Sequence, residues 1–379
     1  MDNKKVLILR SNPIDPDPRV EKEADALLKD GFSVDVFCWD RSCDHPVDQV
    51  PKALNNGNCN IYRIGISSSF GSGFRKNLKP LMKFQLAVFK YLKSNRMRYD
   101  VIHACDFDTA LSGMMGCSRK RNRLVYDIFD YYADAFAVPA FLKRLVVKLD
   151  TCVINRADAV IICSEKRREQ LGKARPKRLE VIHNAPPSWT GANERIDRDD
   201  SRLRIAYIGI LSDGRLIPEL LDIVSRHNEY ELVIAGFGKH EALTRSYADK
   251  YSNISFLGRT DYSKTLEIEN ESDVMVAAYD PAVANHKYAA PNKFYEALML
   301  GKPIIMCSGT GFSEIVEAQG MGVCIDYSSQ SLEDGIAAVK ENYARFADKS
   351  PHEKELFRRE YSWDIMSHRL TRLYRELLV

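Results

Sequence analysis

The sequence predicts an α/β protein made of two doubly wound parallel-sheet domains facing across a cleft. Three observations predict it. Short, continuously apolar runs alternate with amphipathic helical segments, the βαβα pattern of a parallel sheet covered on both faces. The pattern halts at a polar, proline-bearing stretch and then restarts. A chain of 379 residues also suits two domains of ordinary size.

In the first half the strand-like runs are "KVLILR", "SVDVFCW", "NIYRI", "DVIHAC", "RLVYDIF", "AVIICS" and "LEVIHN". The first helix is expected in "DPRVEKEADALLKDG", with Val20, Ala24, Leu27 and Leu28 on one side. Asp17 suits its N-cap, Pro18 its first position and Gly31 its stop. The segment from Asn184 to Arg202 reads as a linker. Beyond it, "LRIAYIG", "YELVIAG", "NISFLG", "VMVAAY", "KPIIMC" and "GVCID" alternate again with helices. The expected boundaries are 1–188 for an N-terminal Rossmann-like domain and 202–357 for a C-terminal one, with 358–379 as a final helix crossing back to the first. In such sheets ligands bind at the carboxyl ends of the strands.

A net charge of +3 gives no reason to expect a nucleic-acid partner. The nine cysteines form no C-x-x-C pair and no cluster with histidine, and read as reduced thiols of a cytosolic protein. The opening "MDNKKVLILRSNP" has an apolar run too short for a signal peptide, and no run reaches the ~20 apolar residues of a membrane span. The expected setting is the cytoplasm, with peripheral attachment at the inner face of a membrane in view.

The stretch "YAAPNKFYEALMLGKPII" places one carboxylate, Glu296, on a helix otherwise suited to packing. Its position is read as the first turn. There it is either an acid favoured by the helix dipole or a carboxylate aimed at a vicinal diol such as ribose. After it come the loop "CSGTGFSEIVE" and "GMGVCID". This order resembles the donor domain of family-4 and related glycosyltransferases of the GT-B fold. The likeness extends through "YIGILSDGRLIPELL", "AGFGKHEAL", "FLGRTDY", "VIICSEKRREQL", "LEVIHNAPP", "DPRVEKEADALLKDGFSVDVFCWD" and "YSWDIMSHRLTRLYREL", nearly the whole chain.

The resemblance implies a donor site in the C-terminal domain. Glu296 would bind the ribose hydroxyls of a nucleotide diphospho-sugar, and Arg215 would face its diphosphate as a catalytic group. Lys293, Asn292, Tyr288, Gly238 and Arg259 would complete the donor contacts, Arg259 near the base. His286 and Lys287 lie near the same loop. Three positions depart from the family pattern. Tyr288 stands where a second Glu is usual, Ile210 where an Arg often follows the strand glycine, and Cys105 where a second His is usual. Lys293 is the candidate to replace the missing cation. Gly236 and Gly238 in "AGFG" fit either an ordinary turn or a close ligand approach.

The acceptor is expected in the N-terminal domain. Arg19, Asp108 and Asp127 are its candidate ligands, and Asp106 and Asp130 the candidate catalytic carboxylates. Asp17 is read as a cap, and His103 as a strand residue that is either buried or functional. Phe129, Tyr131 and Tyr132 either line an acceptor cleft or fill the core.

The reading is a glycosyltransferase of polysaccharide biosynthesis. It would move a sugar from a nucleotide diphospho-sugar to a hydroxyl of a glycan or lipid-linked glycan. The resemblance implies retention of anomeric configuration, with no metal and no cofactor beyond the donor co-substrate. The alternatives are an epimerase or hydrolase of the same fold, or a silent nucleotide-sugar-binding partner subunit. Residues 74–98 add an expectation of their own. Arg75, Lys76, Lys79, Lys83, Lys90, Lys93, Arg96 and Arg98 alternate with Phe74, Leu78, Leu81, Phe84, Phe89 and Leu92, with no acid. Such a segment is either a packed helix with a solvated basic face or one that lies on an anionic bilayer.

Overall fold

The structure, a computed structural model, describes residues 4–68, 74–135, 138–189, 191 and 201–379. The side chains of Phe74, Arg75 and Lys76 and most of the expected linker lie outside the described residues. The chain divides into two compact units, one of residues 1–183 with 366–379, the other of residues 184–365.

The first unit holds strands β1 (Lys5–Arg10), β2 (Ser33–Asp40), β3 (His45–Leu54), β4 (Gly57–Gly65), β5 (Val101–Cys105), β6 (Arg123–Ile128), β7 (Ala159–Ile162) and β8 (Leu179–Val181). Their order is β3-β4-β2-β1-β5-β6-β7-β8, parallel except for the β3–β4 pair. Its helices are α1 (Pro18–Lys29), α2 (Phe74–Asn95), α3 (Phe107–Gly116), α4 (Tyr132–Ala135) and α5 (Ala140–Arg156). Asp17 caps α1 by accepting from the Val20 N–H at 3.3 Å. The sequence reading missed β3. Its "HPVDQVPKAL" contains two prolines and looks like loop, but an antiparallel edge strand tolerates the lost donors. Leu7, Leu9, Phe37, Trp39 and Phe84 lie in the core between sheet and helices.

The second unit holds β9 (Leu203–Ile210), β10 (Tyr230–Phe237), β11 (Ile254–Phe256), β12 (Val274–Ala277), β13 (Ile304–Cys307) and β14 (Gly322–Ile325), all parallel in the order β11-β10-β9-β12-β13-β14. Its helices are α6 (Ile217–Arg226), α7 (Glu241–Lys250), α8 (Tyr262–Glu271), α9 (Asn292–Leu300), α10 (Ser313–Gln319), α11 (Ser329–Glu341) and α12 (Tyr343–Leu356). The last helix, α13 (Trp363–Leu377), puts most of its length in the first unit, where the Tyr374 hydroxyl meets His103 Nδ1 at 2.5 Å. Phe294 and Tyr295 of α9 join Phe312 and Tyr361 in an aromatic cluster, with Phe294 stacked on Phe312 at 4.1 Å. That cluster fixes how α9 sits on its sheet.

Glu353 of α12 is buried, and among the described residues both its carboxyl oxygens lack a hydrogen-bond partner. Burial, opposed by Lys349 and Lys354, pushes its pKa up to about 8. A pKa raised on folding adds stability fully below the unfolded value, near 4.3, and loses it as pH rises through the folded one. Glu353→Gln is therefore expected to match the parent near pH 4.5 but to exceed it by about 2–4 kcal/mol above pH 8. Thermal melts at the two pH values check this, and an equal difference at both would refute it.

Candidate functional site

The carboxyl ends of β9, β10 and β12 and the start of α9 gather the donor candidates of the second unit. The β9 exit loop carries Arg215, whose guanidinium lies 3.7 Å from the centre of the Tyr279 ring, just past β12. Its Nη1 is buried and has no hydrogen-bond partner among the described residues. His286 packs edge-on to Tyr279 and shares a 2.9 Å hydrogen bond with the Asp280 carbonyl through Nδ1. Burial, then the charge of Arg215, lowers its pKa and favours a neutral imidazole.

Lys293, the second residue of α9, turns back into the unit and is buried. Its ammonium lies 4.6 Å from the centre of the Tyr207 ring. A Cβ on Gly209 would stand 2.9 Å from that ammonium, so the glycine makes room for the cation. Burial works against the charge. The phenols of Tyr279 and Tyr207 and the carboxyls of Glu296 and Glu269 outweigh it and hold the pKa above the usual lysine value.

Glu296 is the fifth residue of α9, beyond the first turn, which carries no acid. This corrects the first-turn placement and removes the helix dipole as its explanation, since that effect fades within one turn. The carboxylate is buried and accepts from the Tyr262 hydroxyl at 3.0 Å. Glu269 of α8 stands beside it. Burial, then the charge of Glu296, raises the Glu269 pKa well above the usual range. The pair thus biases Glu269 toward its protonated form.

The glycines of "AGFG" answer to backbone crowding. Gly236 and Gly238 have φ of +141° and +142°. A Cβ on Gly236 would fall 1.8 Å from the Gly209 carbonyl oxygen, and one on Gly238 2.7 Å from that of Leu211. Neither position accepts a side chain. Arg259 is exposed and lies over Phe237 at 3.7 Å. Asn292, exposed at the start of α9, accepts from the Asn184 side chain at 3.2 Å, and Tyr288 is half-buried in the preceding loop.

In the first unit, the ends of β1, β5 and β6 gather a charged cluster. Arg10 donates to Asp17 at 2.8 Å and to Asp106 at 2.6 Å. Asp106 has a φ of 62°, and its Oδ1 accepts from the N–H groups of Phe129 and Asp130 at 2.9 and 3.2 Å. Burial pushes its pKa up to about 7, aided by Asp108 and Asp130 and opposed by Arg10. Burial also raises Asp108, against a hydrogen bond from Ser11 and the charges of Arg10 and Arg41. Asp130 pairs with Arg167 at 2.7 Å and keeps half its side chain exposed. A carboxyl balanced near neutrality beside the half-exposed Asp130 can exchange a proton with, or orient, a hydroxyl.

Two acceptor candidates are corrected. Asp127 is fully buried and takes the Arg19 guanidinium at 2.7 Å, while Arg19 also holds Glu23 at 3.1 Å. Arg19 lies 3.8 Å from the centre of the Phe129 ring. Both are parts of a buried network with His103, which is likewise buried. The fold turns both side chains inward. The sequence reading also missed Arg10, Arg167, Tyr262, Glu269 and Tyr279. The only signal for Arg10 was its place at the carboxyl end of the first strand.

Two family models match the chain. "Glycosyltransferase Family 4" covers residues 19–185 and "Glycosyl transferases group 1" residues 204–342. A curated relative from Bacillus subtilis (strain 168), "Uncharacterized glycosyltransferase YqgM", is 28% identical over 211 residues, covering 51% of this chain and 56% of the relative. The chain thus aligns with little more than half of that relative's length. Among solved structures, sucrose-phosphate synthase from Thermosynechococcus elongatus superposes with a TM-score of 0.76 at 17% identity over 99% of both chains. Anabaena Alr3699/HepE in complex with UDP-glucose gives 0.66 at 14% identity over 98% of this chain and 99% of its own. The E. coli structure "Trehalose-6-phosphate", bound with UDP-2-fluoro glucose, gives 0.71 at 12% identity over 98% of this chain and 99% of its own. At these identities the structures speak for the fold.

Proposed function

The chain belongs to the family-4-like glycosyltransferases of the GT-B fold, and from that premise we propose that it moves a sugar from a nucleotide diphospho-sugar to a hydroxyl of a glycan or lipid-linked glycan. The observation that carries this reading is the pair of cations in the second unit. Arg215 has a buried N–H without a partner among the described residues, and Lys293 is buried against Gly209. A buried guanidinium N–H is costly to leave without an acceptor, and a diphosphate oxygen would accept from it while meeting the Lys293 ammonium. The UDP and UDP-sugar complexes of similar folds support the same class of donor.

In this reading Arg215 and Lys293 hold the diphosphate and stabilise the charge that develops on it as the sugar leaves. With two cations in place, the reaction needs no metal. Glu296 accepts from the ribose hydroxyls, while Arg259, Phe237 and Gly238 border the base. Tyr288 and Asn292 border the sugar. The bond from the anomeric carbon to the diphosphate oxygen breaks, and the acceptor oxygen takes its place on the same face. The departing diphosphate receives the acceptor proton. Asp106, Asp108 and Asp130 serve the acceptor. The compartment is the cytoplasm, in keeping with the free, buried thiols of Cys38, Cys105 and Cys307, and the pathway is polysaccharide assembly.

Incubating the protein with a panel of nucleotide sugars and glycan or lipid-linked acceptors tests the proposal. The expected result is acceptor-dependent release of nucleoside diphosphate and a product of unchanged anomeric configuration. Free sugar alone would indicate a hydrolase, an epimerised donor an epimerase, and binding without release a silent module. Each would overturn the reading.

Glu296 gives a separate prediction. Glu296→Ala is expected to weaken nucleotide-sugar binding by about 2–4 kcal/mol, with Glu296→Gln milder. It also strands the Tyr262 hydroxyl, at about 1–3 kcal/mol of stability. A 2′,3′-dideoxy nucleotide should bind the parent poorly yet lose almost nothing further in the alanine variant. Calorimetry on the four combinations checks this, and simply additive losses would remove Glu296 from the ribose.

A further inference from the structure

The first unit carries a face that the transfer chemistry leaves unused. The helices α2, α3 and α5 each follow a strand and lead to the next one on the same side in sheet order, which places them in one layer on one face of the sheet. In agreement, α3 packs between α2 and α5. On α2, Phe84, Val88 and Leu92 point into the core and are fully buried. Its outer side exposes Leu78, Met82 and Leu86, spaced four residues apart, with Phe141 and Leu145 exposed at the start of α5. Phe141 keeps 77% of its surface in water, a large exposure for an aromatic ring.

The charges around this apolar row have one sign. Lys79, Lys83, Lys90 and Lys93 are exposed on α2, and Arg144 and Lys148 on α5. Lys143 is the exception, since it pairs with Asp134 at 3.1 Å. The only acids on the three helices are Asp108 and Asp150, and both are buried. An ordinary solvated helix face mixes both signs. An apolar row flanked by cations alone matches the boundary between the acyl chains and the headgroups of an anionic bilayer.

We propose that the α2–α5 face of this unit is a docking surface for an anionic lipid bilayer, on which Leu78, Met82, Leu86, Phe141 and Leu145 insert while the flanking lysines meet the headgroups. No described helix is long and apolar enough to cross a membrane, so the contact is one of lying on the surface. Because α2 and α5 begin at the carboxyl edge of their sheet, the insertion also brings the Asp106 and Asp130 loops close to the lipid. The proposal does not rest on the donor reading, and its test reads binding rather than turnover.

The test is flotation of the full chain with vesicles of neutral phosphatidylcholine, alone or with a third of anionic phosphatidylglycerol. Binding is expected with the anionic vesicles only and should weaken as salt rises. Each lysine near the surface contributes about a fivefold factor, so combining Lys79→Gln, Lys83→Gln, Lys90→Gln and Lys93→Gln should weaken binding by roughly a hundredfold or more. Leu78→Ser with Met82→Ser and Leu86→Ser should weaken it by about tenfold or more. All these positions are exposed, so the variants keep the core intact. A tryptophan placed by Met82→Trp should shift its emission to the blue on anionic vesicles, whereas Val50→Trp, on the β3 edge, should not. No binding to anionic vesicles at low salt would overturn the proposal, as would binding that survives both sets of substitutions. Concentration-dependent self-association abolished by the same apolar substitutions would overturn it in favour of a second copy of the chain.

Discussion

Replacing Arg215 with alanine is expected to lower sugar transfer by roughly a hundredfold or more, the usual loss when one preorganised donor to a developing anion is removed. The guanidinium stacks on Tyr279, and among the described residues it meets no carboxylate and its Nη1 has no hydrogen-bond partner. Stability should therefore change little, since no ion pair among the described residues is broken. Arg215→Lys should recover only part of the rate, because an ammonium keeps the charge but loses the planar fork and the ring stacking. Steady-state rates with saturating donor, beside thermal melts of the same variants, separate chemistry from folding. Unaltered turnover in the alanine variant would remove Arg215 from the site.

The second large effect falls on stability. Arg19→Met leaves the Asp127 and Glu23 carboxylates buried without their cation, and is expected to destabilise the protein by about 3–5 kcal/mol. Asp127→Asn should cost a comparable amount. Combining Arg19→Met with Asp127→Leu and Glu23→Gln should restore much of the loss, since removing a whole buried charge set costs far less than breaking one. Urea unfolding of the single and combined variants checks this. A single variant within experimental error of the parent would return Arg19 and Asp127 to the list of acceptor ligands.

Local patterns carried most of the fold. The continuously apolar runs located nearly every parallel strand, and the Asp17–Pro18 start of α1 appears in the structure with its capping bond. What failed locally was β3, where Pro46 and Pro51 argue against a strand unless the segment is known to lie on an edge. The site was less legible, because its meaning lies in pairs distant along the chain. Lys293 and Gly209 are adjacent only once β9 and α9 pack together, and no local pattern tells which glycine makes room for which cation. Arg10 and Asp106 meet for the same reason. Arg19 and Asp127 show the opposite error. Both stand at strand or helix ends, where ligands bind in such folds, yet their side chains turn inward to satisfy each other. Position along a strand could be inferred, but the direction of a side chain could not.

Sugar transfer as proposed requires the second unit to take a diphosphate between Arg215 and Lys293. Calorimetric titration of the full chain with nucleosides, nucleoside monophosphates and nucleoside diphosphates of each base measures this directly. The expected result is a marked gain from monophosphate to diphosphate for at least one base in the parent protein, and the loss of that gain when Arg215→Ala is combined with Lys293→Met. A diphosphate that binds no better than its nucleoside for every base, or a gain that persists in the double variant, would contradict it.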